Sequence, residues 1–274
     1  MKTPKRSLER LKYHYSVERE LADQLRAASK SERKHLYTSL YNELFVRVPD
    51  HPQNLLKLPN PLKLAEVERQ FCLLRPFLKK TTVYLEIGAG DCALAIKVAQ
   101  AVSHVFALDV SDEISSGVSF PVNCDLIIAD GTEIPVPPGS VDLAYSNQLM
   151  EHLHPDDAAE QLAQVFQALQ RGGVYICVTP NRLCGPHDIS KLFDTVPKGF
   201  HLREYNNTDL IEDFHLVGFR RFRAMFSYKG VVFPLLVSLW PILMYERLIS
   251  ALPRRLMRWL AYPLISVKFV AFKV

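Results

Sequence analysis

The chain has 274 residues, of which 48% are apolar and 23% are charged, and its formal net charge is +4. A chain of this length and apolar content can bury a sizeable core, which excludes disordered, collagen-like and disulfide-scaffold proteins. Its five cysteines include no C-x-x-C pair, so they predict neither a disulfide framework nor a zinc site.

The charges are divided unevenly along the chain. Residues 1–80 carry 17 Lys/Arg and 9 Asp/Glu, residues 81–217 carry 6 and 19, and residues 218–274 carry 10 and 1. The basic flanks could meet an anionic acceptor, nucleic acid or a lipid surface, or they could only neutralise the acidic centre. Because no apolar stretch follows the basic N-terminus, we expect a cytoplasmic protein, associated with a membrane at most at its periphery.

Residues 1–80 are predicted to form an N-terminal helical extension. Apolar residues recur every three or four positions from Leu8 to Leu44, which predicts two amphipathic helices. Residues 48–61 are rich in Pro and Asn and are interpreted as a connector. A third helix is predicted over residues 62–78.

From residue 81 onward, short apolar runs alternate with helical patterns, as is typical of βαβ units and a parallel sheet. The predicted strands are TVYLEI, HVFALDV, DLIIAD, VDLAYS and VYICVTP. Helices are predicted over about 91–102 and 155–170, the second ending at Gly172 and Gly173 as its C-cap. A further helix is predicted over about 207–216.

Two C-terminal segments, GFRRFRAMFSY and ISVKFVAFKV, alternate in the manner of strands and are predicted to pair as an antiparallel hairpin at the edge of the sheet. The residues between them, about 229–263, form a predicted helical insertion. Its apolar run over 230–245 is shorter than the roughly 20 residues of a spanning helix. Either an interfacial helix pair touching a membrane through residues 230–263 or a lid over an apolar substrate fits this composition.

The sharpest chemical signal is LEIGAGDCALAI, in which Glu86 ends a strand and Gly88, Ala89 and Gly90 precede a helix. Glycines let a backbone turn tightly against a ligand, so this pattern predicts a nucleoside-cofactor site. The same residues match the G-x-G-x-x-A variant of the dinucleotide fingerprint. Asp109 lies 109 − 90 = 19 residues after the second glycine, where an acid can hold ribose hydroxyls in either case.

Electrostatics separate the two cofactors. Asp91 and Glu86 place acidic groups beside the turn, and these would repel a pyrophosphate. The same groups suit the sulfonium and amino groups of S-adenosylmethionine. The sequence therefore favours the methyl donor.

Four motifs in their order and spacing resemble the class I S-adenosylmethionine-dependent methyltransferases of the small-molecule, type 11-like family. They are LEIGAGD, LDVS, ADGTEIP, and DLAYSNQLMEHL followed by LQRGGVYICVTPN. The resemblance implies a Rossmann-like, doubly wound α/β fold with a seven-stranded sheet, mostly parallel, whose C-terminal strands form an antiparallel hairpin. The methyltransferase domain would span residues 81–274.

The resemblance also implies roles for individual residues. Glu86, Gly88 and Gly90 would line the methionine end of the cofactor, with Ala89 in the same turn, and Asp109 would hold the ribose. Further cofactor contacts are implied for Asp130 and Gly131 beside the adenine, and for Ser146 and Asn147 beneath the cofactor.

Methyl transfer depends largely on positioning, and a base is required only when the acceptor is a hydroxyl or a similar acid. The candidate catalytic residues are His187 and Asp188, which follow the fifth predicted strand, and His152, which follows the fourth. No motif has metal-ligand spacing, so no metal site is predicted.

The leading hypothesis is a methyltransferase that acts on a small-molecule or lipid/glycan-like acceptor at oxygen. One alternative is an NAD(P)-binding oxidoreductase, and another is a non-catalytic, membrane-peripheral binding protein. Nucleic acid is a disfavoured partner because the basic N-terminal arm lacks interleaved aromatic residues on which bases could stack. No feature of the sequence specifies the oligomeric state.

Overall fold

A computed structural model of the chain describes residues 6–52, 61–111, 115, 117–228 and 231–274. Helices cover both faces of one mixed β-sheet. The helices are α1 (Leu8–Ala27), α2 (Lys30–Arg47), α3 (Pro61–Leu74), α4 (Ala93–Ala99), α5 (Pro155–Ala168), α6 (Asn207–Val217), α7 (Trp240–Ser250) and α8 (Arg254–Ala261). The strands are β1 (Val83–Ile87), β2 (His104–Asp109), β3 (Cys124–Ile128), β4 (Val141–Asn147), β5 (Leu169–Pro180), β6 (Arg221–Tyr228), β7 (Val231–Val237) and β8 (Ser266–Phe272).

The strand order in the sheet is β3-β2-β1-β4-β5-β8-β6-β7. Strands β1 to β5 pair in parallel, whereas β8 pairs antiparallel with both β5 and β6. The predicted fold class and the predicted C-terminal hairpin are confirmed. The strand order reverses between β1 and β4, and open α/β sheets bind ligands in the crevice at such a reversal.

The insertion differs from the prediction in one respect. Its first part forms strand β7, which pairs antiparallel with β6 and adds an eighth strand at the edge of the sheet. The predicted helical character holds only for α7 and α8. The β-branched residues Val231 and Val232 favour a strand, and this strand pairs with β6.

The predicted glycine cap of α5 is wrong. The helix ends at Ala168, and β5 begins directly at Leu169, so Gly172 and Gly173 lie inside the strand. Gly172 has φ +82° and its N–H donates to the Lys273 carbonyl at 2.7 Å. The β4–β5 register shifts over this stretch, so the glycines permit an irregularity in the ladder.

Alternating strand residues feed two hydrophobic cores, one on each face of the sheet. Leu85 and Ile87 pack with α5 and α6, whereas Tyr84 packs with α3 and α4. Helices α1 and α2 contribute Leu21 and Leu40 to the first of these cores. The N-terminal extension therefore shares its core with the sheet.

Candidate active site

A cavity of about 650 Å³ lies where β1, β2 and β4 end, next to the reversal of strand order. This volume falls within the range of about 300–1,000 Å³ that small-molecule sites occupy. The walls come from the loops after these strands and from two helices of the extension. The strand ends and the segments that follow them contribute Gly88, Gly90, Asp109, Gly131, Asn147 and His152 to the lining.

The glycine turn after β1 forms one wall. Gly88 has φ +75° and Gly90 has φ +56°, a backbone region that favours glycine. A Cβ on Gly88 would lie 3.3 Å from Leu149 Cδ1, whereas a Cβ on Gly90 would enter open space. The turn is anchored to β2, because the Gly88 N–H donates to the Leu108 carbonyl at 2.8 Å. Gly90 therefore leaves room for a ligand beside the backbone.

Asp109 ends β2 and lines the cavity. Its Oδ2 accepts from the Gly90 N–H at 2.6 Å, and its Oδ1 accepts from the Val110 N–H at 2.8 Å. Burial raises the pKa of this carboxyl group, while the backbone N–H groups partly offset the shift. Asp109 thus organises the glycine turn as well as facing the cavity.

Glu86 is buried at the end of β1, where it lines a smaller pocket of about 120 Å³ together with Ala89 and Asn147. Burial, reinforced by the nearby charge of Asp109, raises the pKa of Glu86 to about 8, although the Tyr84 hydroxyl donates to it at 3.3 Å. This carboxyl group is desolvated, and a cationic ligand would favour its ionised form.

Two predicted cofactor residues have side chains engaged elsewhere. Asp130 accepts from the Thr132 N–H at 2.8 Å and forms an ion pair with Lys34 at 2.8 Å. Burial alone would raise the pKa of Asp130, but the hydrogen bonds from these partners outweigh burial and lower the pKa to about 2. Ser146 is buried and shares a hydrogen bond of 2.8 Å with the Tyr175 hydroxyl. The structure therefore brings their neighbours Gly131 and Asn147 to the cavity, but not Asp130 or Ser146.

His152 is the predicted catalytic residue that the structure brings to the cavity. Its Nδ1 lies 3.1 Å from the Phe200 carbonyl, which can only accept a hydrogen bond. The Tyr41 hydroxyl lies 2.8 Å from the same Nδ1. Burial and the nearby charge of His201 lower the pKa of His152 to about 3, which keeps the ring neutral.

His187 and Asp188 hold the loop after β5 instead. The His187 Nε2 lies 2.9 Å from the Asn181 carbonyl, and Asp188 accepts from the N–H groups of Ser190 and Gly199 at 3.0 and 2.9 Å. Neither residue lines the cavity. The structure does not place these two side chains with His152, and their catalytic role stays a prediction.

The sequence analysis did not identify the residues that roof the cavity. Tyr37, Tyr41 and Phe45 of α2 line it, as do Leu62 and Lys63 of α3. The aromatic residues recur every four positions, so they share one face of α2. In the sequence, this aromatic stripe lies one position after the core leucines of α2, and it is the pattern from which the roof could have been predicted.

Buried polar contacts dock α2 onto the sheet. The Arg33 guanidinium donates to both carboxylate oxygens of Asp157 at 2.7 Å, and the Tyr37 hydroxyl donates to Asp157 at 2.7 Å. Thr38 Oγ1 donates to the Val110 carbonyl at 2.7 Å, directly after β2. These contacts fix the aromatic stripe over the cavity.

Asp91 forms an ion pair with Lys63 of α3. Asp91 therefore repels a pyrophosphate less than the sequence indicated, because the Lys63 cation on the roof offsets its charge. Asp109 at the cavity and Glu86 in the adjoining smaller pocket are the acidic groups that would still disfavour a pyrophosphate.

Two groups of histidine and glutamate ligand atoms lie within 4.8 Å of one another in the described part of the chain, which spacing alone did not predict. They are His14, Glu18 and His51, and Glu151, His152 and His201. In the first group, Arg6 donates to His14 Nδ1 at 2.8 Å, so His14 Nε2 carries the hydrogen that Glu18 accepts at 2.6 Å. The absence of a metal site stays a prediction.

Residues 85–173 match the family described as "Methyltransferase domain". Over 137 residues the chain is 33% identical to a probable S-adenosylmethionine-dependent methyltransferase of Mycolicibacterium smegmatis, covering 49% of this chain and 51% of the relative. A protein of the same description from Mycobacterium tuberculosis is 30% identical over 128 residues, covering 46% and 44%. The chain thus spans about half the length of the curated relatives it matches.

The fold is also similar to solved structures. The crystal structure of an S-adenosylmethionine-dependent methyltransferase from Mesorhizobium loti superposes with a TM-score of 0.52 at 18% identity, covering 74% of this chain and 97% of that one. This similarity confirms the Rossmann-like fold. The family match covers most of the segment that carries the four motifs, and it supports their resemblance to S-adenosylmethionine-dependent methyltransferases.

Proposed function

We propose that this chain is an S-adenosylmethionine-dependent methyltransferase that methylates a hydroxyl oxygen of a small-molecule or lipid-like acceptor. One observation carries the proposal. A single cavity joins the glycine turn and Asp109 to a neutral histidine beneath an aromatic roof. The family match over residues 85–173 and the named relatives support methyl transfer from S-adenosylmethionine.

The residues present fit the methyl donor. Gly90 leaves open space beside the turn, and the buried Glu86 carboxyl group has the chemistry to accept from a cationic amino group. Asp109, at the end of β2, would hold the ribose, and Gly131 would lie beside the adenine. S-adenosylmethionine, when bound, supplies an electrophilic methyl group on a sulfonium.

His152 would remove the proton that an oxygen acceptor must lose. In the proposed tautomer Nδ1–H donates to the Phe200 carbonyl, which would leave the lone pair of Nε2 for the acceptor hydroxyl. The low pKa makes this imidazole a weak base in the free protein, but the hydroxyl becomes far more acidic as its oxygen bonds to the methyl carbon, so Nε2 would take the proton during the transfer. The Tyr41 hydroxyl keeps its own hydrogen and can donate it to the acceptor, which helps to orient the reacting oxygen.

The roof favours an acceptor with an apolar part. Phe45, Leu62, Leu149 and Leu153 line the cavity together with the ring of Tyr41. Apolar walls bind an acceptor by excluding water, while a few polar groups set its orientation. A lipid-like or aromatic alcohol would satisfy both requirements.

Calorimetric titration with S-adenosylhomocysteine tests the cofactor assignment, with NADH and NADPH run alongside. We expect saturable binding of S-adenosylhomocysteine alone. Asp109→Ala should weaken binding by about 1.5–3 kcal/mol, the range for hydrogen bonds to a charged group. Binding of a dinucleotide would favour the oxidoreductase alternative, and binding of none of the three would contradict the proposal.

Methyl transfer from labelled S-adenosylmethionine to lipid extracts and to small aromatic alcohols tests the acceptor assignment. On the compound that takes up label, His152→Ala should lower turnover by about 10²-fold or more, the scale of general base catalysis, while affinity for S-adenosylhomocysteine stays within twofold. His187→Ala is the comparison variant. A larger loss of turnover with His187→Ala than with His152→Ala would indicate that the catalytic base lies in the loop after β5.

A further inference from the structure

Helices α7 and α8 form a hairpin whose outward side chains are large and apolar. Trp240 is 67% exposed, Leu248 67%, Trp259 73% and Tyr262, just after α8, 69%. Trp240, Met244 and Leu248 recur every four residues and therefore share one face of α7. These side chains, together with Leu256 and Ile265, are called the hairpin face below.

The hairpin is held firmly from its inner side. Glu246, which is 1% exposed, accepts from Asn181 Nδ2 at 2.7 Å and from the N–H of Asn207 at 3.0 Å. Ile249 and Ala261 pack in a small core together with Leu183 of the loop after β5. The polar and apolar side chains of the inner face therefore have partners in the rest of the fold, which holds the hairpin in place with its apolar outer face exposed.

Two explanations of the exposed face fail. None of the described residues of the insertion lines the cavity, so the lid over the substrate that the sequence allowed is not formed by α7 and α8. In addition, no helix of the described part of the chain combines the length and apolar character that crossing a bilayer requires.

The charges around the hairpin face have one sign. Arg247 lies on α7, and Arg254, Arg255 and Arg258 lie on α8, all of them exposed. Glu246 is the one acidic residue among residues 218–274, and its carboxyl group is buried on the inner side. The electrostatic field at this surface therefore favours an anionic partner.

We propose that the hairpin face binds an anionic lipid surface, with the tryptophans at the interface between headgroups and acyl chains. Tryptophan and tyrosine have an apolar ring with a polar edge, which suits this boundary. Arginine buries its aliphatic part and keeps its charge at the phosphates. An amphipathic helix with aromatic residues and arginines lies in the plane of a membrane rather than across it.

The two tryptophans of the chain, Trp240 and Trp259, both belong to the hairpin face, so intrinsic fluorescence reports on this surface without a label. The full chain is titrated with vesicles of phosphatidylcholine alone and of phosphatidylcholine with phosphatidylglycerol. We expect a blue shift and quenching by brominated acyl chains with the anionic vesicles, weakened by added salt. An unchanged spectrum with anionic vesicles would overturn the proposal.

Cosedimentation with the same vesicles separates the apolar from the electrostatic contribution. Trp240→Ser with Trp259→Ser should abolish binding. Replacing Arg254, Arg255 and Arg258 by Gln should weaken it by about fivefold per arginine, because each basic residue near an anionic surface contributes about 1 kcal/mol. Val122→Ser is the matched control, since Val122 is fully exposed next to β3, at the opposite edge of the sheet.

Thermal unfolding and near-UV circular dichroism check that each variant keeps the native fold. Undiminished sedimentation of the double tryptophan variant would overturn the proposal. The oligomeric state of the chain, measured by light scattering without lipid, is a second test of the proposal. A dimer that disappears in the double tryptophan variant would identify the hairpin face as an interface between two copies of the chain.

Discussion

The N-terminal extension and the C-terminal segment that carries the α7–α8 hairpin are both rich in basic residues, yet they have opposite relations to the cavity. Both lie outside the matched residues 85–173 and both are basic, with 17 Lys/Arg against 9 Asp/Glu in residues 1–80 and 10 against 1 in residues 218–274. Helix α2 lines the cavity, whereas α7 and α8 do not. Composition alone therefore does not reveal which flank completes a site.

The direction of the aromatic side chains distinguishes the two regions. On α2, Tyr37 and Tyr41 point inward and are tied to Asp157 and His152 of the central fold. On the hairpin, the inner tie is Glu246, and the tryptophans point outward. The polar contacts of each flank thus decide which of its faces meets the fold.

The largest expected effect comes from breaking the contact that docks α2. Arg33→Met should lower the free energy of unfolding by about 3–5 kcal/mol, because it leaves the buried Asp157 carboxylate without its cation. Urea denaturation measures the loss. Lys30→Met, at another position of α2, removes an ion pair with the partly exposed Glu160 of α5 and should cost no more than about 1 kcal/mol. Equal losses in the two variants would mean that the buried pair does not dock the helix.

A smaller effect is expected from the corresponding contact of the hairpin. Glu246→Ala should lower the free energy of unfolding by about 1–3 kcal/mol, because buried donors of Asn181 and Asn207 lose their acceptor. Glu246→Gln retains an acceptor oxygen and should cost less. Affinity for S-adenosylhomocysteine should stay within twofold in both variants, and a clear drop would show that the hairpin supports the cavity after all.

The central fold should contribute a pH dependence that neither flank alters. With a pKa of about 8, Glu86 is mostly protonated in the free protein at pH 6–7, and it must ionise to accept from the cationic amino group of the ligand. Affinity for S-adenosylhomocysteine should therefore rise between pH 6 and 7.5, by at most tenfold per unit, or about 1.4 kcal/mol. Calorimetry in buffers of different ionisation enthalpy should detect the released proton. The same slope in Glu86→Gln would assign the proton to another group.

The smallest effects on stability are expected from removing one tyrosine hydroxyl in each region. Tyr41→Phe removes the partner of His152 Nδ1, and Tyr245→Phe removes a bond of 2.9 Å to the Leu260 carbonyl. Each should cost about 0.5–1.5 kcal/mol of stability. Only Tyr41→Phe should slow methyl transfer, measured on the acceptor that takes up label. If Tyr245→Phe slowed it equally, the proposed separation between cavity and hairpin would be wrong.

Local sequence patterns predicted the parallel sheet, the glycine turn and the antiparallel pair of β6 and β8. Each of these features follows from the alternation of apolar residues, the spacing of glycines or the length of apolar runs. The eighth strand was missed because VVFPLLV has the apolar content of a helix or of a strand, and only pairing with β6 decides between them. At the site, the position of Gly88, Gly90 and Asp109 followed from sequence. The contribution of Tyr41 depends on contacts between residues more than 100 positions apart, and no local pattern encodes such contacts.

The loop residues show the same limit. His187 and Asp188 follow β5 as expected, yet their side chains are used within the loop, because Asn181 and Gly199 offer partners that sequence does not reveal. His152 follows β4 in the same way and does line the cavity. Position after a strand therefore predicts the neighbourhood of a residue, whereas the hydrogen bonds of its side chain decide its availability.

Hydrogen–deuterium exchange of the full chain with and without S-adenosylhomocysteine shows directly which of the two flanks contacts the bound ligand. Ligand should slow exchange over residues 85–91 of the glycine turn and over residues 36–45 of α2, and it should leave residues 240–262 of the hairpin unchanged. Unchanged exchange over residues 36–45, or protection over residues 240–262, would contradict the conclusion that the N-terminal extension completes the cofactor cavity and the hairpin does not.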